Sequence, residues 1–280
     1  MRNALLVACA LAAFAPGLSA QDDILPRAHS SLTLLAANAG LGAITTVAGQ
    51  VIRGARLNGR KAAQGAVGGV IVFGGKTIVA DNRWYANLLG RQIAAAGGSG
   101  IQNVASGRRF LENLSFPYGP ARLNVETAPH MRVRVKLDLA RTGVLIKALS
   151  DVHMEMEVWE SLLYGVAVFR DSRPDDAAAA GSHVGGVVTF RERTADGTAS
   201  DEAIRRTMAH ELVHVLQADF SFNTWGGPLE RSFLQESEVT RRLHAYFDLG
   251  LDVPLASLVN SFVPYSSRPW EREAVSLPKR

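Results

Sequence analysis

The sequence predicts an α+β protein: a Gly/Ala-rich helical region, then an antiparallel sheet, then an amphipathic helix bearing His-Glu-x-x-His. Gly and Ala dominate the stretch from Ser31 to Gly107, as in "LLAANAGLGAITTVAGQVI". From Phe116 to Phe190 apolar residues recur with period two, the spacing of strands. From Ser200 onward they recur at helical spacing.

The chain opens "MRNALLVACALAAFAPGLSAQDD". An arginine near the start, an uncharged apolar run, a Pro-Gly break and a small-residue ending are the parts of a secretory signal peptide, with cleavage expected after Ala20. Residues 1–20 are therefore expected to direct export to the periplasm, the envelope or the medium. The only cysteine, Cys9, lies within that leader. Disulfide frameworks and thiolate metal sites are thus excluded for the mature chain. The net charge of +4 is spread along the sequence without a basic block, so nucleic acid is not an expected partner.

Residues 21–115 read as a Gly/Ala-rich helical region. Ala28 to Ile52 contains no Lys, Arg, Asp or Glu and is long enough to span a bilayer, which takes roughly 20 residues. Its many small residues permit close helix packing in lipid or in water. Membrane association through residues 31–80 is accordingly one expectation, and closely packed soluble helices the other.

Residues 116–280 begin with strands. In "MRVRVKLDL", Met131, Val133, Val135, Leu137 and Leu139 alternate with charged residues, the pattern of a half-buried strand. "VHMEMEV" alternates likewise, and its acidic face complements the basic face of the first, which suits cross-strand pairing. Further strands are expected at Arg122–Glu126, Leu163–Arg170 and Val184–Phe190.

The helix after Ser200 starts with an N-cap and two first-turn acids, Asp201 and Glu202. Ile204, Met208, Leu212, Val215 and Leu216 form its apolar stripe, leaving Thr207, His210, Glu211, His214 and Gln217 on the other side. Residues four apart on a helix point the same way, so His210 and His214 can share one tetrahedral zinc. Glu211 stands where a carboxylate can take a proton from a water activated by the metal. A second helix is expected over Leu229 to Leu249, and a short one after Pro269.

"AHELVHVLQ" resembles the active-site helix of zincin metallopeptidases. Metzincins place a glycine and a third histidine where this chain has Gln217 and Phe220, so that branch does not fit. Gluzincins take a glutamate from a later helix, in Glu-x-x-Ala-Asp or Glu-x-x-Ser-Asp. "RPWEREAVSL" matches from Glu271 to Ala274, but Val275 replaces the aspartate that supports a ligand histidine in that family, which leaves that support unassigned. The resemblance, confined to Ser200 and beyond, implies a zincin-like fold with His210, His214 and Glu271 as zinc ligands, Glu273 in reserve, and Glu211 as general base. It also implies a peptide substrate paired with an edge strand, for which Val184–Phe190 is the candidate. As a whole the chain resembles exported bacterial proteins sharing "HVLQ" and Arg-Pro-Trp-Glu-x-Glu-Ala, which supplies no substrate.

For oxyanion stabilisation Tyr265 is the first candidate, with His244 and Tyr246 behind it. His183 is expected to be solvent-exposed, and His29, His130 and His153 lack a partner pattern. Trp225 and Trp270 read as core or cleft wall. The glycine-rich runs lack the lysine and context of a phosphate loop. The expected function is zinc-dependent peptide hydrolysis; the alternatives are a non-catalytic zinc-binding envelope protein and a membrane-associated scaffold.

Overall fold

The computed structural model describes residues 31–80, 83–173, 181–191, 193–194, 197–198, 200–221, 237–250, 253 and 269–277. The expected leader, His29, Trp225 and Tyr265 lie outside these residues. The fold is α+β, with two four-stranded sheets and a short third ladder.

Three long helices come first: α1 (Ser31–Ile52), α2 (Gly59–Val79) and α3 (Trp84–Ala105). Asn58 caps α2 by accepting from the Lys61 N–H at 3.3 Å. Glycines let the three approach closely. A Cβ added at Gly42 would stand 2.1 Å from Gly65 O, at Gly69 2.0 Å from Asn38 O, and at Gly75 2.5 Å from Gly90 O. Helix α1 has unusual polarity: Asn38, Thr45, Thr46 and Gln50 are buried while Leu32, Ile44 and Val51 are exposed. Both α1 and α2 are long and apolar enough to cross a membrane.

Then follow β1 (Asn113–Tyr118), β2 (Ala121–Glu126) and β3 (Arg132–Asp138), an antiparallel meander. Strand β1 lies along α3, held by Gln92 donating to Pro117 O (3.2 Å), Ser115 N–H to Ser99 Oγ (2.9 Å) and Asn103 to Asn113 O (2.7 Å). Asp138 ends β3 and caps α4 (Leu139–Ser150), accepting from the Arg141 N–H at 3.0 Å.

Next come β4 (Met154–Met156), α5 (Val158–Tyr164), β5 (Ala167–Asp171), β6 (Gly181–Val184), β7 (Val187–Phe190), and the small hairpin β8 (Arg193–Thr194) and β9 (Gly197–Thr198). Helix α6 (Asp201–Ser221) carries the His-Glu-x-x-His residues; α7 (Glu238–His244), β10 (Phe247–Asp248) and α8 (Pro269–Ser276) complete the described elements. The second sheet runs β4-β5-β7-β6, with β5 and β7 parallel and the outer pairs antiparallel. Helix α6 packs its stripe on this sheet: Met208, Leu212, Val215 and Leu216 share one core with Val168, Val188, Phe190 and Ala274.

Several sequence expectations are corrected. Both sheets are mixed rather than antiparallel, because β10 joins β3 in parallel and β5 joins β7 in parallel. Strand β3 is not half-buried: Val133 and Val135 are 55% and 59% exposed. Alternation marks a strand but cannot say whether its apolar side has a partner. The basic side of β3 does not meet "VHMEMEV". Arg134 lies 3.9 Å from Glu126 on β2 and Lys136 3.0 Å from Asp248 on β10, whereas Glu157 pairs with Arg170.

Leu163 and Tyr164 finish α5, and Gly165 at φ +63° turns the chain before β5 begins. The span Val184–Phe190 is not one edge strand. Gly185 and Gly186, at φ +53° and +81°, fold it into a hairpin in which β6 is the edge and β7 is interior. Of the helix expected over Leu229 to Leu249, the described part is α7, and residues 247–248 form strand instead.

Beneath α6 lies a buried ionic cluster. Asp219 accepts from Arg91 at 3.0 Å and from Arg141 at 2.5 Å, with Arg122 at 3.9 Å. Asp138 adds Arg141 at 3.2 Å and Arg122 at 3.6 Å. Burial pushes the Asp219 carboxyl up, but Arg141, Arg91 and Arg122 outweigh it and hold the pKa at about 2. Helix α3, β2, α4 and the end of α6 are joined through these charges.

Candidate metal centre

Helix α6 begins as expected: Ser200 Oγ accepts from the Ala203 N–H at 3.2 Å, and Glu202 pairs with Arg205 (3.1 Å) and Arg206 (2.9 Å). The stripe fixed in the core then sets the opposite face. There His210 Nε2 and His214 Nε2 stand 3.1 Å apart, with ring planes at 88°.

Helix α8 closes the third side. Ala274 and Leu277 bury themselves in the core, and Glu271, three residues before Ala274, is brought against α6. Glu271 Oε2 lies 3.1 Å from His214 Nε2 and 3.5 Å from His210 Nε2. An ion with bonds of about 2.0–2.1 Å in tetrahedral geometry holds its ligand atoms about 3.3–3.4 Å apart. The triangle has that size, and its donors are two imidazole nitrogens and a carboxylate oxygen. His210, His214 and Glu271 could therefore hold a metal ion.

Behind this triangle runs a chain of polar contacts reaching the N-terminal helices. His214 Nδ1 lies 2.8 Å from Gln217 Oε1, and Gln217 Nε2 donates to Glu273 Oε2 at 2.8 Å. Because the Gln217 amide nitrogen must face a carboxylate, its oxygen must face the histidine. Nδ1 therefore carries the proton and the Nε2 lone pair points into the triangle. Glu273 is held by Lys76 Nζ at 2.7 and 2.8 Å and by Asn38 Nδ2 at 3.0 Å. Burial opposes charge on Glu273, but Lys76 prevails and lowers its pKa below the usual carboxylate range.

The carboxylate of Glu273 thus faces Lys76 and Asn38, two residues along α8 from a Glu271 that faces the histidines. On His214 burial disfavours charge, but the Glu271 carboxylate outweighs it and raises the pKa.

Glu211 is buried, against the edge of the second sheet. A Cβ placed on Gly181 would lie 2.5 Å from Thr207 Cγ2 and 3.3 Å from Glu211 Cγ, so only glycine at this point of β6 leaves room for both. The strand that is outermost in this sheet among the described residues therefore passes beside the glutamate of the motif.

His183, on the same strand, is half-buried rather than exposed as its sequence surroundings suggest. Its Nε2 accepts from the Gly186 N–H at 3.2 Å, and burial, followed by the nearby His214 and Arg141, pushes its pKa down to about 3. It is a neutral imidazole. Of the other candidates among the described residues, none joins the triangle. His244 Nδ1 lies 3.6 Å from Asp248, and Tyr246 is exposed.

Gln217, Glu273, Lys76, Asn38 and Gly181 were not singled out in the sequence for these roles. Only Gln217 carried a usable sign, its position three residues after a candidate ligand on the same helix.

Compared with protein-family models, with curated proteins and with solved structures, the chain matches none.

Proposed function

We propose that the chain is an exported zinc-dependent metallopeptidase of the gluzincin type. The observation that supports this reading best is the triangle of His210 Nε2, His214 Nε2 and Glu271 Oε2, at 3.1, 3.1 and 3.5 Å, built around a helix that also carries Glu211. Zinc suits a set of two imidazoles and one carboxylate, and such three-ligand sets leave a position for water or substrate. When bound, it supplies Lewis-acid activation of water and of a substrate carbonyl.

The residues divide the remaining work. Glu211 accepts the proton of the attacking water and returns it to the leaving amine. Gln217 keeps His214 in the ligating tautomer. Strand β6, outermost in its sheet among the described residues and next to Glu211, offers backbone groups to an extended peptide. A glutamate placed one residue after the first ligand has no use in a site that only braces the fold, which favours turnover over a structural metal.

The test is metal content and hydrolysis together. Purified protein should carry about one zinc per chain, lost in Glu271→Ala and retained in Glu211→Gln. Wild type should cleave an unfolded protein such as casein, and Glu211→Gln should lose on the order of a hundredfold or more of that rate. Wild type without zinc after loading, or equal rates in wild type and Glu211→Gln, would overturn the reading.

A further inference from the structure

We propose that the outer face of α1 and α2 docks on a bilayer containing anionic phospholipid, lying in its surface. The two helices are built inside out. On α1 the buried line is Leu34, Asn38, Gly42, Thr45, Thr46 and Gln50, while the opposite, outward line carries Leu32, Ala36, Ile44 and Val51. On α2 the buried line is mostly glycine, and Val67 and Val70 face outward at 55% and 44% exposure. A soluble helix places its apolar residues inward; here Leu34, Val72 and Val79 do so, but the rest of the inner line is polar or small and Leu32, Ile44, Val51, Val67 and Val70 face out.

No Lys, Arg, Asp or Glu occurs from Ser31 to Ile52 or from Gln64 to Gly75, so neither helix itself places a charge within this outer face. Several cations gather at one end. Arg53, Arg56, Arg60 and Lys61 follow α1 and open α2, and a recess there is lined by Arg60, Lys61, Arg108 and Arg109 with one carboxylate, Glu112. An apolar face ending in a cluster of cations matches acyl chains beside phosphate headgroups.

The other side of the helical layer fixes how lipid can be met. Helix α3 is bonded to β1 from Gln92 to Asn103, so the sheet runs along it. Among the described residues the sheet thus covers the α3 side of the layer and leaves the α1–α2 side to the bilayer, a surface contact although each helix is long enough to span. This proposal stands independently of the metal centre.

The experiment is flotation of the full chain with phosphatidylcholine vesicles, with and without about three parts in ten phosphatidylglycerol. Wild type should float with the anionic vesicles, and less so in about 1 M salt, where charge is screened within about 3 Å. Val67→Glu with Val70→Glu on α2, and separately Ile44→Glu on α1, should each cut the bound fraction on the order of tenfold. Arg56→Glu with Arg60→Glu should do the same, whereas Val152→Glu, at a residue 91% exposed and outside this face, should float as wild type does.

Near-UV circular dichroism identifies any variant that fails to fold, and the α1 and α2 substitutions give separate readings. Wild type that stays at the bottom with both vesicles overturns the proposal. So does flotation that survives all of the outer-face substitutions. A wild-type dimer that fails to float and that Val67→Glu with Val70→Glu splits would assign the face to a second copy of this chain instead.

Discussion

Lys76 Nζ lies 2.7 Å from Glu273 Oε1, so a glycine-rich helix near the start of the described chain is ion-paired to the helix that carries Glu271. Both side chains are largely removed from water, at 5% and 15% exposure. Removing one partner strands the other charge, a loss of about 3–5 kcal/mol for a buried pair. Lys76→Met is expected to lower the urea midpoint by a corresponding amount, and Lys76→Arg by much less. Equal midpoints for wild type and Lys76→Met would show that the pair contributes nothing.

Gln217 acts on the metal centre without belonging to it. Gln217→Ala frees the His214 ring to rotate and to change tautomer, while Glu273 keeps Lys76 and Asn38. Loss of such a supporting contact typically costs 10–100-fold in metal affinity. Competition with a zinc chelator should therefore show a loss of that size, with little change in the melting temperature of the metal-free protein.

The glycines of the helical layer should fall into two groups. Gly69→Ala forces a methyl to 2.0 Å from Asn38 O, a backbone atom that cannot give way, so it should destabilise strongly and disturb the helix that holds Glu273. Gly74 has nothing within 4 Å of a built Cβ. Gly74→Ala should stabilise by up to about 1 kcal/mol, since alanine is the better helix residue. Thermal melts of the two variants against wild type measure both signs.

The buried cluster predicts an acid response. The folded pKa of Asp219, about 2, lies below its ordinary 3.8, so the folded state favours the ionised form. That contribution is present above about pH 4 and is lost as the pH falls towards 2, and it amounts to on the order of 2 kcal/mol. Asp171, held at about 2 chiefly by its hydrogen bond from Arg173, acts in the same window and in the same direction. Asp219→Asn should destabilise at neutral pH and flatten the fall in stability between pH 4 and 2. An unchanged acid slope would mean that the three arginines do not act through this carboxylate.

The parts of the structure legible in sequence were local ones. The Ser200 cap, the stripe from Met208 to Leu216 and the face bearing His210 and His214 all follow from one helix and its period. The third ligand was not local: the resemblance of "RPWEREAVSL" to the gluzincin pattern, and not any spacing, pointed to Glu271, with Glu273 in reserve. The contact of Glu273 with Lys76 and that of Glu271 with His214 separate the two acids, which lie two residues apart on the same short helix.

The sheets were harder to read for a related reason. Alternation in Met131–Leu139 and Val152–Val158 located strands but carried no information on which strand would be the neighbour. The charges that seemed complementary were satisfied elsewhere, by Glu126, Asp248 and Arg170. The Gly185-Gly186 pair was visible as a turn signal, and weighing it against the apolar run around it would have divided the expected edge strand correctly.

The hydrogen bond from Asn38 to Glu273 spans 235 positions of sequence, and the contact of His214 with Glu271 spans 57. A chain made from its N-terminus therefore carries the histidine pair long before the carboxylate that completes it. Contacts so distant in sequence form late in folding, after the loops between them have closed. The proposed metal centre would thus stay two-sided in the nascent chain and gain its carboxylate only once synthesis has passed Glu271.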